Sequence, residues 1–172
     1  MLSSFRADGN LVYIKKPNFD ELDYVAELWA DEETMNDVGG VVSFPVEKRE
    51  AWYRKMVNPS DGKNFYCLIY TFDDVPVGEV SFHRFDMEER KADFNIKIQA
   101  KYRGKGYAKE AMQLILSYYF CDFGGQVIYD NVINEKGKKA LQNFGFEIVS
   151  KFDNEVLFKM TKERFIELLN KK

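Results

Sequence analysis

Lys101-Tyr102-Arg103-Gly104-Lys105-Gly106-Tyr107-Ala108 joins two segments of different hydrophobic period. Upstream, Ala92, Phe94, Ile96 and Ile98 alternate with Asp93, Asn95, Lys97 and Gln99, which is the period of a half-buried strand. Downstream, Ala108, Ala111, Met112, Ile115, Tyr118 and Tyr119 recur at helical spacing. The N–H groups of a helix's first turn have no acceptor inside the helix, and glycines let an anion approach that backbone closely. The junction therefore suits an anion such as a pyrophosphate. On spacing alone, Gly-Lys-Gly is equally a tight turn with an exposed lysine. It lacks the third glycine of a dinucleotide fingerprint, and the chain contains no G-x-x-x-x-G-K-[ST].

Working outward, residues 11–15 read as a first strand, and Asn18 with Glu21 has capping-box spacing before a helix carrying Leu22, Val25, Ala26 and Trp29. Gly39-Gly40 interrupts the chain, and Pro45 suits the first position of a second helix carrying Trp52 and Met56. Residues 65–71, 77–85 and 91–98 read as an antiparallel meander. After the glycine turn and its helix, closed by Gly124-Gly125, come a strand through Val127 and Ile133 and a short helix from Asn134 to about Gly145. Residues 146–149 and 155–160 form a last strand pair, and Phe165, Ile166, Leu168 and Leu169 mark a terminal helix. The order predicts one domain over residues 1–172, an α/β (α+β) fold in which helices flank a mixed, mostly antiparallel sheet of six to seven strands.

Composition narrows the function. The 172 residues include fifteen Phe, ten Tyr and two Trp, ample for one core. A net charge of −3 argues against nucleic acid as partner. One histidine, His83, and two cysteines, Cys67 and Cys121, are too few for a zinc site of the usual ligand count, so no metal is expected. Both cysteines have apolar neighbours and are expected in the core as free thiols. Residues 1–8 carry no apolar stretch of an export signal, and Lys109 and Glu110 interrupt the longest apolar helix. A soluble, cytoplasmic protein away from the membrane is the expectation.

The Tyr-Arg-Gly-Lys-Gly-Tyr-Ala-x-Glu-Ala run, followed by Asn134 and by Phe144-Gly145-Phe146, resembles the acetyl-CoA-binding core of the GNAT superfamily of N-acetyltransferases. Within it, this run is similar to the branch holding ribosomal-protein N-terminal and spermidine acetyltransferases, and the element order matches over nearly the whole chain. The resemblance implies acetyl-CoA as co-substrate. Its pyrophosphate would lie on the backbone of Arg103, Gly104, Lys105, Gly106, Tyr107 and Ala108, with Lys101 standing where the family has Gln or Arg. The pantetheine arm would run beside Ile96, Lys97 and Ile98, whose side chains are equally read as strand packing. Asn134 would touch the cofactor and cap a helix. Lys136 and Lys139, with Lys138, would meet CoA phosphates or form a solvated face.

Acetyl transfer to an amine needs a base, a polarised thioester carbonyl and an acid for the departing thiolate. The resemblance points to Asp93 as base, acting through water, with Glu79 and His83 on the preceding strand as rivals. Asp93 is equally read as a salt-bridged strand carboxylate. Many members carry a tyrosine acid where this chain has Leu141. The implied function is direct transfer of acetyl from acetyl-CoA to a primary amine of a small cationic molecule or peptide; the alternative is a non-catalytic CoA-binding regulatory module. Residues 17–47 hold nine acidic residues and no Lys or Arg, leaving 19 acidic against 25 basic residues elsewhere. In the family's fold this segment borders the acceptor, so Glu32, Glu33 and Asp37 are candidate acceptor-binding residues, against the reading of a solvated helix face. The late strands and terminal helix offer surface for a homodimer.

Overall fold

The run Phe65–Thr71 is apolar without alternation because both of its faces are covered. Phe65, Cys67 and Ile69 enter one core, and Tyr66, Leu68 and Tyr70 enter another on the opposite side. This strand is β3 of a sheet seen in a computed structural model that describes residues 5–171; the first residues of the segment read for an export signal lie outside them. Before it come β1 (Arg6–Asp8), β2 (Val12–Lys15), α1 (Leu22–Ala30), α2 (Glu32–Met35) and α3 (Val46–Met56). After it come β4 (Pro76–Asp86), β5 (Lys91–Ile98), α4 (Tyr107–Ser117), β6 (Val127–Val132), α5 (Glu135–Phe144), β7 (Glu147–Phe152), β8 (Glu155–Thr161) and α6 (Lys162–Asn170).

The strand order is β1-β2-β3-β4-β5-β6-β8-β7, antiparallel throughout except for β5 against β6. The expected mixed, mostly antiparallel sheet is present, with eight strands among the described residues instead of six to seven. The added one is β1, whose three residues Arg6, Ala7 and Asp8 carry no apolar alternation and lie on an edge. The strand expected over residues 11–15 is β2 and begins at Val12, with Leu11 in the preceding turn, 49% exposed.

Helix α4 buries Ala111, Met112, Ile115 and Leu116, the stripe expected of an amphipathic helix packed on a sheet. It continues into a π-helical turn, Tyr118–Phe123, which turns Tyr119 and Phe120 inward and ends at Gly124 with φ 104°. That wider turn corrects one expectation. Cys67 is buried, but Cys121 is exposed, because the inward positions are taken by the rings on either side of the turn. Pro45 is the N-cap of α3, one residue outside the helix it was expected to begin. The Glu110 carboxylate on α4 accepts the N–H groups of Asn10 and Leu11, the latter at 2.9 Å, so the β1–β2 turn clamps the start of α4.

Strands β5 and β6 pair only at Lys91 with Val127, Ala92 with Ile128 and Asp93 with Tyr129. Beyond these, β5 stays with β4 as far as Ile98 and β6 stays with β8 as far as Val132. The sheet therefore opens as a V with β5 and β6 as its arms.

Candidate active site

The glycine turn lies at the open end of β5. Gly104 and Gly106 have φ of 81° and 84°, left-handed values that favour glycine, and a Cβ at Gly104 would meet nothing within 4 Å. Residues Tyr102 to Lys109 wall a cavity of about 340 Å³ with Ile98, Met112 and Phe144. The first-turn N–H groups of α4 and three basic residues, Arg103, Lys105 and Lys109, give this wall the donor chemistry of an anion site. The N–H of Arg103 is spent on the Ala100 carbonyl at 3.2 Å. Its guanidinium reaches Asp37 at 3.1 Å and the carbonyls of Ile98 and Thr34, so this side chain braces the turn against the segment after α2. Thr34 Oγ1 also accepts the Ala100 N–H at 2.8 Å.

Between the arms of the V lies a second cavity of about 430 Å³. Asn95, Ile96 and Lys97 of β5 face Asp130, Asn131 and Val132 of β6 across it, and Ala108, Met112 and Ala140 are shared with the first cavity. Asn134 lines it while using both ends of its amide: Oδ1 accepts the Gly137 N–H at 2.6 Å, and Nδ2 donates to the Asp37 carbonyl at 3.1 Å. Leu141 lines it too, buried. A Cβ at Gly137 would lie 2.9 Å from Asn134 Oδ1 and from Val132 Cγ1, so only glycine fits beneath this cap.

The third cavity, about 490 Å³, lies on the α1 and α3 side and shares Asn95, Lys97, Asp130 and Asn131 with the second. Trp29, Trp52, Met56 and Tyr66 supply an aromatic and thioether wall. Facing it are Glu79, His83, Arg84 and Asp93. The register sets Glu79 opposite Lys97, Ser81 opposite Asn95 and His83 opposite Asp93, which brings the three expected base candidates together.

Their environments differ. Glu79 is 2% exposed, and Trp29 Nε1, Tyr66 OH, Asn95 Nδ2 and Lys97 Nζ donate to it at 2.9, 2.6, 3.1 and 3.0 Å. Burial alone would raise its pKa, but Lys97 and the Tyr66 and Trp29 donors outweigh burial and hold it below the ordinary carboxylate value. With both oxygens doubly engaged, Glu79 orders the site and has little room to receive a proton. His83 is lowered by burial. Asn64 Nδ2 donates to Asp61, which turns Asn64 Oδ1 towards His83 Nδ1, while Ser81 Oγ meets Nε2 at 2.8 Å. Asp93 accepts Arg84 Nε at 2.8 Å, its salt-bridged reading, yet still faces the cavity. Arg84 reaches it from a β-bulge with φ 54°.

Of the candidate acceptor-binding residues, Asp37 lines the second cavity and is paired with Arg103, whereas Glu32 and Glu33 are exposed and border none of the three cavities. Lys136 and Lys139 are likewise exposed away from them, on a solvated face where Lys138 pairs with Glu135 at 3.1 Å. The aromatic wall and Asp130 are not among the candidate residues the sequence singles out. Tyr129-Asp130-Asn131, a polar break inside the apolar strand Val127–Val132, was the available signal.

A family model described as an acetyltransferase (GNAT) domain matches residues 12–147. No curated protein matches the sequence. Among solved structures, a GNAT-family acetyltransferase from Bacillus anthracis superposes with TM-score 0.75 at 22% identity, over 92% of this chain and 99% of that one. Spermidine N-acetyltransferase from Vibrio cholerae, solved with CoA and spermine, gives 0.79 at 17% identity over 91% and 98%. These neighbours share the fold, and the family model spans most of the chain, which therefore belongs to the GNAT acetyltransferases.

Proposed function

We propose that the protein moves the acetyl group of acetyl-CoA, the donor used by its family, directly onto a primary amine of a small cationic molecule or peptide. The supporting observation is the continuity of the three cavities, from the glycine turn through the V to a chamber of aromatic rings and carboxylates. Acetyl-CoA, when bound, supplies an activated thioester. The backbone of Gly104, Lys105, Gly106, Tyr107 and Ala108 suits its pyrophosphate. Unpaired β5 backbone beside Ile96, Lys97 and Ile98 suits the amides of its arm, as an added strand would.

In the third cavity, Glu79, Asp93 and Asp130 stand against Arg84 and Lys97, while His83 is neutral by burial. One cationic ammonium balances that set, and Trp29, Trp52 and Tyr66 suit the hydrocarbon that carries it. Asp93, paired with Arg84 yet facing the cavity, is the candidate for carrying the last amine proton away through water; Glu79 positions Lys97 and Asn95. Direct transfer is favoured because Cys67 is buried with its thiol pushed well above the ordinary range by burial, and the exposed Cys121 borders none of the cavities. For self-association, the proposed surface is edge strand β7, where Ile148, Val149 and Phe152 are exposed; light scattering of the purified chain tests it.

Thiol release from acetyl-CoA against a panel of polyamines, aminosugars and basic peptides tests the activity. Intersecting initial-velocity lines are expected; parallel lines would show an acylated enzyme, and no release with any amine would exclude acetyl transfer to these acceptors.

A further inference from the structure

Where the second and third cavities meet, the lining side chains are Asn95, Lys97, Asp130 and Asn131. Any amine reaching from the aromatic chamber towards the V must pass them. Of these, Asn95 and Lys97 are bonded to Glu79, and Asn131 Nδ2 donates to Glu155 at 3.1 Å. Asp130 differs. Among the described residues its carboxylate carries no hydrogen bond or ion pair, although it sits on β6 just beyond the last residue paired with β5.

The other groups around the junction are already committed. On β4, Glu79 holds four donors and Arg84 pairs with Asp93 of β5. His83 has both ring nitrogens engaged. From the far wall, Asp37 pairs with Arg103, and Leu141 has no proton to give.

We propose that Asp130 takes the proton of the bound ammonium and then returns it to the departing sulfur. This rests on the acetyl-transfer reading above. Asp130 receives one hydrogen of R–NH₃⁺, leaving a neutral amine whose lone pair forms the new C–N bond. The C–S bond breaks with its electron pair on sulfur, Asp130 delivers its proton there, and the nitrogen sheds its second hydrogen to water. The products are an amide, a thiol and one released proton. Since the cavity holds one carboxylate more than its cations, an ammonium neutralises it, and shifting the proton onto Asp130 leaves the net charge unchanged. Burial raises the Asp130 pKa to about 7, with Lys97 opposing and Asp93 adding to the rise, which suits a group that must both accept and donate near neutrality.

The test uses the full chain, with spermine as the probe amine and Asp130→Asn beside Asp130→Glu. Carboxyl ¹³C NMR of the unliganded protein is expected to show one aspartate titrating near 7 that is missing from D130N. In steady state, D130N is expected to lose about 10²-fold or more in kcat with acetyl-CoA affinity unchanged, together with the kcat/KM limb near pH 7, and D130E to recover part of it. D130N is also expected to raise the thermal midpoint more at pH 8 than at pH 5, since the raised pKa makes the ionised native state the less stable one. An Asp130 signal titrating near 4, or a D130N enzyme with wild-type kcat and pH profile, overturns the proposal. Absence of thiol release by the wild type with every amine would instead strike the acetyl-transfer reading, and the proposal with it.

Discussion

Lys97→Met removes the cation in contact with a carboxylate, Glu79, that is 2% exposed. The Nζ–Oε2 distance is 3.0 Å, and the lysine side chain is itself 14% exposed, so solvent does not replace the lost charge. At an effective dielectric of about 20, the attraction at that distance is roughly 5 kcal/mol. Truncating one partner of a buried pair costs about 3–5 kcal/mol. Trp29, Tyr66 and Asn95 still donate to Glu79, which places the expected loss near the lower bound, about 3 kcal/mol. In a domain of this size that is a fall in Tm of roughly 6–12 °C. Urea unfolding at pH 7 measures it directly. The companion Glu79→Gln/Lys97→Met removes the stranded charge and is expected to recover most of the loss. Acid supplies a second check. The native pKa of Glu79 lies below its unfolded value of 4.5, so its stabilisation is present above pH 4.5 and is lost as pH falls through the lower native value. In Lys97→Met the carboxyl protonates more readily, so the deficit shrinks on going from pH 7 to pH 4. A deficit under about 1 kcal/mol, far below the range for a broken buried pair, or one that does not change with pH, would refute the account of Glu79 as a saturated, ionised scaffold.

Gly106→Ala forces a side chain into φ 84°, costing about 1–2 kcal/mol, and is expected to raise KM for acetyl-CoA more than KM for the amine. Thr34→Val deprives the Ala100 N–H of its 2.8 Å acceptor and should lower stability by about 1–3 kcal/mol in urea titration. Trp29→Phe keeps a ring against Trp52 and Phe44 but removes the 2.9 Å donor to Glu79, an expected loss of about 1.5–3 kcal/mol that largely vanishes in a Glu79→Gln background.

Elements with a strong period were legible from the residues. Phe65–Thr71 and Lys91–Ile98 have the bounds read from their sequence, because burial on one or two faces writes itself into side-chain type. Arg6–Asp8 was not legible, since an exposed edge strand of three residues is held by pairing with β2 and not by composition. The glycine turn could be found because φ above 80° at Gly104 and Gly106 demands that residue. The third cavity could not, since Trp29, Tyr66, Glu79 and Asp130 come from four elements and meet only through the register of the sheet. Acidic density and the place of this segment in the family's fold pointed to Glu32 and Glu33, whose charges face solvent.

The V has a mechanical side. Five strands, β1 to β5, form one plate, and β6, β8 and β7 form another; across the sheet itself they are joined by three residue pairs at one end. Such an arrangement is a hinge with a short pin, braced by the helices packed across it. A molecule bonded to both arms acts as a strut and should slow amide hydrogen exchange on β5 and β6 together, while the two plates keep their own rates. The opening between β5 and β6 thus makes the stiffness of the whole sheet depend on what it holds.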